Sequence, residues 1–181
     1  MKKAFVFLTT GFEETEAIGT VDVLRRGGIE ATTVSITGTK HVSGAHGIEI
    51  KADVLFANAV FSEADILILP GGMPGSTNLN AFEPLKELLI EQYKKGKTIA
   101  AICAAPLVFG GLGLVQGKKA TCYPGFEPKL IGATITGEAT VTDGQIITGK
   151  GPGFVFDFAL TIVENLRGKA VSEEVAAGLL L

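Results

Sequence analysis

Hydrophobic positions along this chain fall into short unbroken runs separated by stretches of helical periodicity. Lys3 to Leu8 is an apolar run of strand length that stops at Thr9-Thr10-Gly11. Glu13 and Glu14 then open a segment in which Ala17, Ile18, Val21, Val23 and Leu24 recur at helical spacing, with Gly27-Gly28 as its stop. Ile29 to Ile36, rich in Val, Thr and Ile, reads as a second strand, and the intervening helix makes the two strands parallel. Lys40 to Lys51 reads as a hairpin centred on Ser43-Gly44-Ala45-His46-Gly47, followed by an extended piece from Ala52 to Phe56.

Ala64 to Leu69 shows no polar alternation, as a strand covered by helices on both faces requires, and is placed at the centre of a sheet. Pro70-Gly71-Gly72-Met73-Pro74-Gly75 ends it, and Pro84 to Lys94 carries Leu85, Leu88 and Leu89 at amphipathic helical spacing before Gly96. A strand at Thr98 to Ile102, a small-residue helix at Ala104 to Gly110 and a strand at Ala120 to Cys122 follow. Thr134 to Thr136 and Val141 to Thr148 are further strands, the second turning at Asp143-Gly144. Phe154 to Leu166 is a strongly apolar helix, and Ser172 to Leu179 a last one, with Ser172 as N-cap and Glu173 and Glu174 in its first turn.

This alternation predicts one α/β domain over residues 1–181, a doubly wound and mostly parallel sheet with helices on both faces. Ligands of such sheets collect at the carboxyl ends of the strands. Four breaks fall at those ends: Thr9 to Glu16, Pro70 to Gly75, Cys103 to Pro106, and Tyr123 to Pro124.

Composition narrows the function classes. A chain of 181 residues is long enough to bury roughly 70% of the surface its unfolded form exposes. Its net charge of −3, with scattered Lys and Arg, gives no basic footprint for nucleic acid or an anionic membrane surface. The short apolar run after Met1-Lys2-Lys3 is neither a spanning helix nor a signal sequence, so a cytoplasmic location is expected. Cys103 and Cys122 are too far apart for a C-x-x-C motif and read as individual reduced thiols. His41 and His46 sit in the hairpin without a Cys or Asp cluster and read as solvated loop residues, so no metal is expected.

Cys103, in Ala100-Ala101-Ile102-Cys103-Ala104-Ala105-Pro106, stands between a buried strand and a helix. Amides at such a turn carry partial positive charge that lowers a thiol pKa and stabilises an oxyanion. Taken alone the string is better read as a buried structural cysteine. Gly71 and Gly72 permit close backbone approach at the neighbouring strand end, although Gly71-Gly72-Met73-Pro74-Gly75 does not match a dinucleotide-binding fingerprint. Glu13, Glu14 and Glu16 open the first helix. The first two read as surface acids that favour the helix dipole, whereas a protonated Glu16 one turn in can donate a hydrogen bond to a thiolate.

These residues together resemble the ThiJ/PfpI superfamily, within it the branch of the parkinsonism-associated protein deglycase. The matching stretches are G-F-E-E-T-E-A at Gly11 to Ala17, V-D-V-L-R-R-G-G at Val21 to Gly28, L-P-G-G at Leu69 to Gly72, A-A-I-C-A at Ala100 to Ala104 and G-P-G at Gly151 to Gly153. The resemblance implies a flavodoxin-like sheet, a homodimer, Cys103 as reactive thiol, Glu16 as its protonated partner, and the amides of Gly72 and Ala104 as an oxyanion cradle. Gly71, Tyr123, His46 and Pro152 are implied as surrounding positions.

Two departures bear on mechanism. Proteolytic members have histidine directly after the cysteine, where this chain has Ala104, so peptidase or amidase activity is disfavoured. Many members of the branch have a histidine where this chain has Tyr123, a weak base at neutral pH, and His46 stands where an arginine is frequent. The resemblance implies a cofactor-independent glyoxalase or deglycase acting on small reactive dicarbonyls or their adducts. The alternative is a redox-sensing stress chaperone with an oxidisable Cys103 and unfolded protein clients. Cys122 reads as a packing residue more readily than as a resolving thiol.

Overall fold

The computed structural model describes all of residues 1–181. Its strands are β1 (Lys3–Leu8), β2 (Glu30–Ser35), β3 (His41–Ser43), β4 (Glu49–Lys51), β5 (Val54–Leu55), β6 (Ile66–Leu69), β7 (Thr98–Ile102), β8 (Lys119–Ala120), β9 (Thr134–Ile135), β10 (Thr140–Asp143) and β11 (Ile146–Gly149). Its α-helices are α1 (Glu14–Arg26), α2 (Gly75–Ala81), α3 (Glu83–Lys94), α4 (Pro106–Gly111), α5 (Val155–Arg167) and α6 (Lys169–Gly178). A seven-stranded sheet runs in the order β10-β11-β7-β6-β1-β2-β5, with only the β10–β11 pair antiparallel. The strands β3 and β4 form the expected hairpin beside it.

Alternate residues of each central strand enter opposite cores. Ala4, Val6 and Leu8 of β1, with Ile66 and Ile68 of β6, pack with Leu24 of α1, Phe158 of α5 and Val175 of α6. Phe5, Phe7, Leu67 and Leu69 face Leu79 of α2, Leu85 and Leu89 of α3 and Phe109 of α4. Because both sides are apolar, these strands carry no polar alternation, which is the pattern the sequence shows. From β1 the chain crosses to β2 on one side, and β6 lies on the other, so the topological switch point falls between β1 and β6.

Several expected elements are altered. The helix after Cys103 starts only at Pro106, whose fixed φ suits a first helical turn. Ala120 to Cys122 is not a strand of the main sheet: β8 ends at Ala120 and pairs in parallel with β9. The stretch from Val141 to Thr148 divides into β10 and β11 around its Asp143-Gly144 turn. Ser172 is not an N-cap. The chain reverses at Gly168, whose φ of +89° ends α5, and α6 begins one residue later. Ser172 therefore lies inside α6 and donates through Oγ to the Leu160 carbonyl at 3.0 Å.

Candidate functional site

The carboxyl ends of β1, β6, β7 and β11 meet around Cys103. Its backbone has a φ of +65°, a left-handed conformation rare for a residue with a side chain. Two hydrogen bonds hold it there: Cys103 N donates to Gly149 O at 2.9 Å, and Tyr123 N donates to Cys103 O at 2.8 Å. The side chain is 8% exposed, and the amides of Gly72 and Ala104 both direct hydrogen bonds towards the sulfur.

Gly71 fits between Cys103 and Glu16. A Cβ there would lie 2.6 Å from the Cys103 Cβ and 2.7 Å from Glu16 Oε2. Its amide donates to Glu16 Oε2 at 2.7 Å. Gly72 adopts a φ of +91°, and a Cβ on it would meet Glu13 N at 2.4 Å. The 11–13 and 71–75 turns are also joined by Glu13 N donating to Gly71 O at 2.9 Å and Gly75 N to Gly11 O at 3.1 Å. This interlock sets Glu16 against the thiol.

Glu16 is fully buried, and its Oε1 has no hydrogen-bond partner other than the adjacent Cys103 thiol. Burial raises its pKa to about 7, against hydrogen bonds from the Gly71 amide and from Cys103 that favour the carboxylate. The Cys103 thiol is pushed up to about 12, first by burial and then by the charge and hydrogen bonding of Glu16, with the Gly72 and Ala104 amides pulling the other way. The expected depressed thiol pKa is thus corrected. Two acidic groups in one dry pocket cannot both ionise near neutrality, so they hold one proton between them. Below about 7 Glu16 is the protonated partner that the sequence suggests; above it, the carboxylate faces a thiol.

The acids before Glu16 differ from expectation in one case. Glu13 caps α1, accepting from Glu16 N at 2.6 Å, in keeping with a dipole-favouring role. Glu14 is no surface acid: it is 4% exposed and accepts from the backbone N and ring Nδ1 of His46 at 2.7 and 2.8 Å. Burial pushes the Glu14 pKa up, but the bonds from His46 and Ile48 outweigh it and hold the carboxyl below its ordinary value. His46 is exposed yet tied to Glu14, which raises its pKa, and His41 is likewise paired through Nδ1 with Glu49 at 3.0 Å. Neither histidine is merely solvated. Glu13, Glu14 and His46 place potential ligand atoms within 4.8 Å of one another, yet Glu14 is committed to His46 and one Glu13 oxygen to the helix cap.

Tyr123 and Pro152 lie on the other side of Cys103, lining a cavity of about 290 Å³ with Lys150 and Phe154. Cys122 is buried in the core on the α3 and α4 side of the sheet, whereas Cys103 belongs to the opposite core. Burial raises the Cys122 thiol to about 11, with the Glu127 charge adding to it. Phe154, Lys150 and Glu14 are the positions around the site that sequence reasoning missed. Glu14 had a faint signal in its place beside Glu16.

A cysteine on a strained strand-to-helix turn, with a buried glutamic acid and two converging amides at a switch point, defines a cysteine-centred doubly wound α/β protein. Residues 2–165 match the DJ-1/PfpI family, and the chain belongs to that family. It is 40% identical to Protein dj-1beta of Drosophila melanogaster, over 99% of this chain and 97% of that one. Protein DJ-1 homolog B of Arabidopsis thaliana is 42% identical over 99% of this chain, which spans only 42% of that longer protein. The glutathione-independent glyoxalase DJR-1.2 of Caenorhabditis elegans is 39% identical, over 86% of this chain and 83% of its own. The crystal structure of Drosophila melanogaster DJ-1beta superposes with a TM-score of 0.94, covering 99% of this chain and 98% of that one at 39% identity. No helix is long and apolar enough to cross a membrane.

Proposed function

We propose that this chain is a cofactor-independent, cysteine-dependent glyoxalase-type enzyme that converts small α-oxoaldehydes to hydroxy acids. The observation that carries this reading is the Cys103–Glu16 pair, a thiol and a carboxyl of pKa about 7 with one proton between them beneath two backbone amides. A relative of similar length named as a glutathione-independent glyoxalase supports it.

The groups fit each step. As Cys103 Sγ forms a bond to the aldehyde carbon, its proton passes to Glu16 Oε1 and the carbonyl π pair moves onto oxygen, facing the Gly72 and Ala104 amides. Protonation of that oxygen by Glu16 gives a hemithioacetal and restores the carboxylate. Glu16 then removes the hydrogen from the same carbon and delivers a proton to the neighbouring carbonyl carbon through an enediol, leaving a thioester. Water cleaves the thioester to the hydroxy acid and frees the thiol. No redox partner is consumed.

A redox sensor would need an accessible sulfur rich in thiolate. Burial and the raised pKa of Cys103 favour the enzyme reading over that alternative. The test is production of lactate from methylglyoxal without glutathione, followed by NMR, in wild type, Cys103→Ser and Glu16→Gln. Lactate formation lost in both variants supports the proposal. Equal rates in wild type and Cys103→Ser, or no lactate from any of the three, overturn it. Intact mass after low peroxide completes the comparison, because rapid oxygen uptake at Cys103 in a chain that makes no lactate favours the sensor.

A further inference from the structure

Beside Cys103 the chain builds a shelf that the proton-transfer chemistry does not use. Tyr123 and Phe154 expose 45% and 38% of their surface, an unusual amount of aromatic area for positions so near a buried thiol. With Pro124 and Pro152 they line the cavity of about 290 Å³. That exceeds the volume of about 150 Å³ known to admit benzene in an engineered core.

Both walls of this shelf are fixed to Cys103 itself. Tyr123 donates its amide to Cys103 O at 2.8 Å, and Gly149, which accepts from Cys103 N at 2.9 Å, directly precedes Lys150. The Tyr123 ring lies flush against the backbone of Gly151, where a Cβ would be only 3.2 Å from the ring. Phe154 is held as well. Lys150 Nζ stands 5.8 Å from its ring centroid and donates to Gly137 O at 3.0 Å, so cation and ring have one mutual pose. Lys150 forms no ion pair with a carboxylate. Two restrained aromatic faces one residue beyond the thiol's own hydrogen bonds suit a planar apolar substituent on the carbon next to the reacting aldehyde.

We propose that the Tyr123–Pro152–Phe154 shelf is a specificity subsite that selects α-oxoaldehydes carrying an aromatic substituent, with Lys150 as a positioning residue for Phe154. The proposal rests on the reading of Cys103 as an oxoaldehyde-handling thiol, and two readouts separate the two ideas.

The first is binding without turnover. Uniformly 15N-labelled protein is titrated with acetophenone and with acetone, following the amides of Gly151, Gly153 and Phe154. Acetophenone moves these signals saturably and acetone does not, and Phe154→Ala weakens the acetophenone response about tenfold, equivalent to about 1.4 kcal/mol. The second is the ratio of kcat/KM for phenylglyoxal over methylglyoxal, which stands at about ten or above in wild type and falls towards one in Phe154→Ala through KM. Acetophenone binding with neither oxoaldehyde consumed leaves the subsite standing and removes the enzyme reading. Turnover of both aldehydes at equal rates with no acetophenone response leaves the enzyme reading and overturns the subsite. Signals that follow protein dilution instead of acetophenone give the shelf to a second copy of the chain, which also overturns it.

Discussion

The α-carbon of Gly71 packs directly on the side chain of Cys103, so that a single added methyl group would stand 2.6 Å from the cysteine Cβ. The same methyl would meet Glu16 Oε2 at 2.7 Å and the Ile102 carbonyl at 3.0 Å. None of these atoms is the free end of a flexible side chain on the surface. Gly71→Ala is therefore expected to destabilise the fold by about 1–3 kcal/mol, the usual cost of overpacking, and to move the thiol out of register with Glu16. Urea denaturation checks the first effect and oxoaldehyde turnover the second. Unchanged stability and rate would show that the strand ends are slack enough to separate.

If Glu16 accepts the thiol proton, it acts as the carboxylate, and turnover should follow its ionisation. With Glu16 raised by burial to about 7, kcat/KM is expected to climb as pH rises through about 7 and to level off above it. Glu16→Gln keeps a donor and an acceptor in the same volume but no base, so the step should vanish and the rate fall by about 100-fold or more. A pH profile of wild type and variant decides this. A step that survives in Glu16→Gln assigns the titration to another group.

The fold was legible in sequence because each central strand has apolar residues on both faces and each break after a strand is marked by Gly or Pro. The helix α2 was not, since Gly75, Ser76, Thr77 and Asn78 are weak helix formers whose helix is set by tertiary contact. Ser172 misled because a good capping residue was read without the chain reversal at Gly168. At the site, Cys103, Glu16 and Gly72 were found from their motifs, but the thiol environment was misjudged. Local sequence shows the amides at a turn, whereas desolvation and the charge of Glu16 depend on strands far apart in the chain. Glu14 was misread for the same reason, its partner lying 32 residues away.

Burial of Glu16 also couples stability to pH. Its folded pKa of about 7 lies above the ordinary 4.5, so the folded chain binds the proton more tightly than the unfolded one. Folding therefore loses stability as pH rises from about 4.5 through about 7, and the loss is complete above that. At 1.36 kcal/mol per pKa unit the full effect is on the order of 3 kcal/mol. Glu16→Gln has no such proton, so its stability relative to wild type should rise by about that amount between pH about 4.5 and about 8. Denaturant unfolding of both proteins at several pH values measures the difference and cancels other titrating groups, His46 included. A difference that stays flat with pH would mean that Glu16 titrates alike in the folded and unfolded chains.

The pair formed by Glu14 and His46 makes a separate claim about the hairpin of β3 and β4. Glu14 Oε1 accepts from the amides of His46 and Ile48 at 2.7 and 3.4 Å, and Oε2 takes the ring Nδ1 at 2.8 Å, so one buried carboxylate holds the hairpin tip against the start of α1. Hydrogen bonding and charge from Glu14 raise the His46 pKa above its usual value. A raised histidine pKa adds stability that is present below the ordinary value of about 6.5 and is lost as pH climbs through the folded one. In Glu14→Gln the ring should titrate near its ordinary value, and the amides of His46 and Ile48 should exchange with solvent faster. An NMR titration of the His46 ring, with hydrogen exchange on the same sample, measures both. Should the ring titrate identically in the variant, the carboxylate is not what holds its proton, and the tip of the hairpin is kept in place by Ala45 N donating to Phe12 O instead.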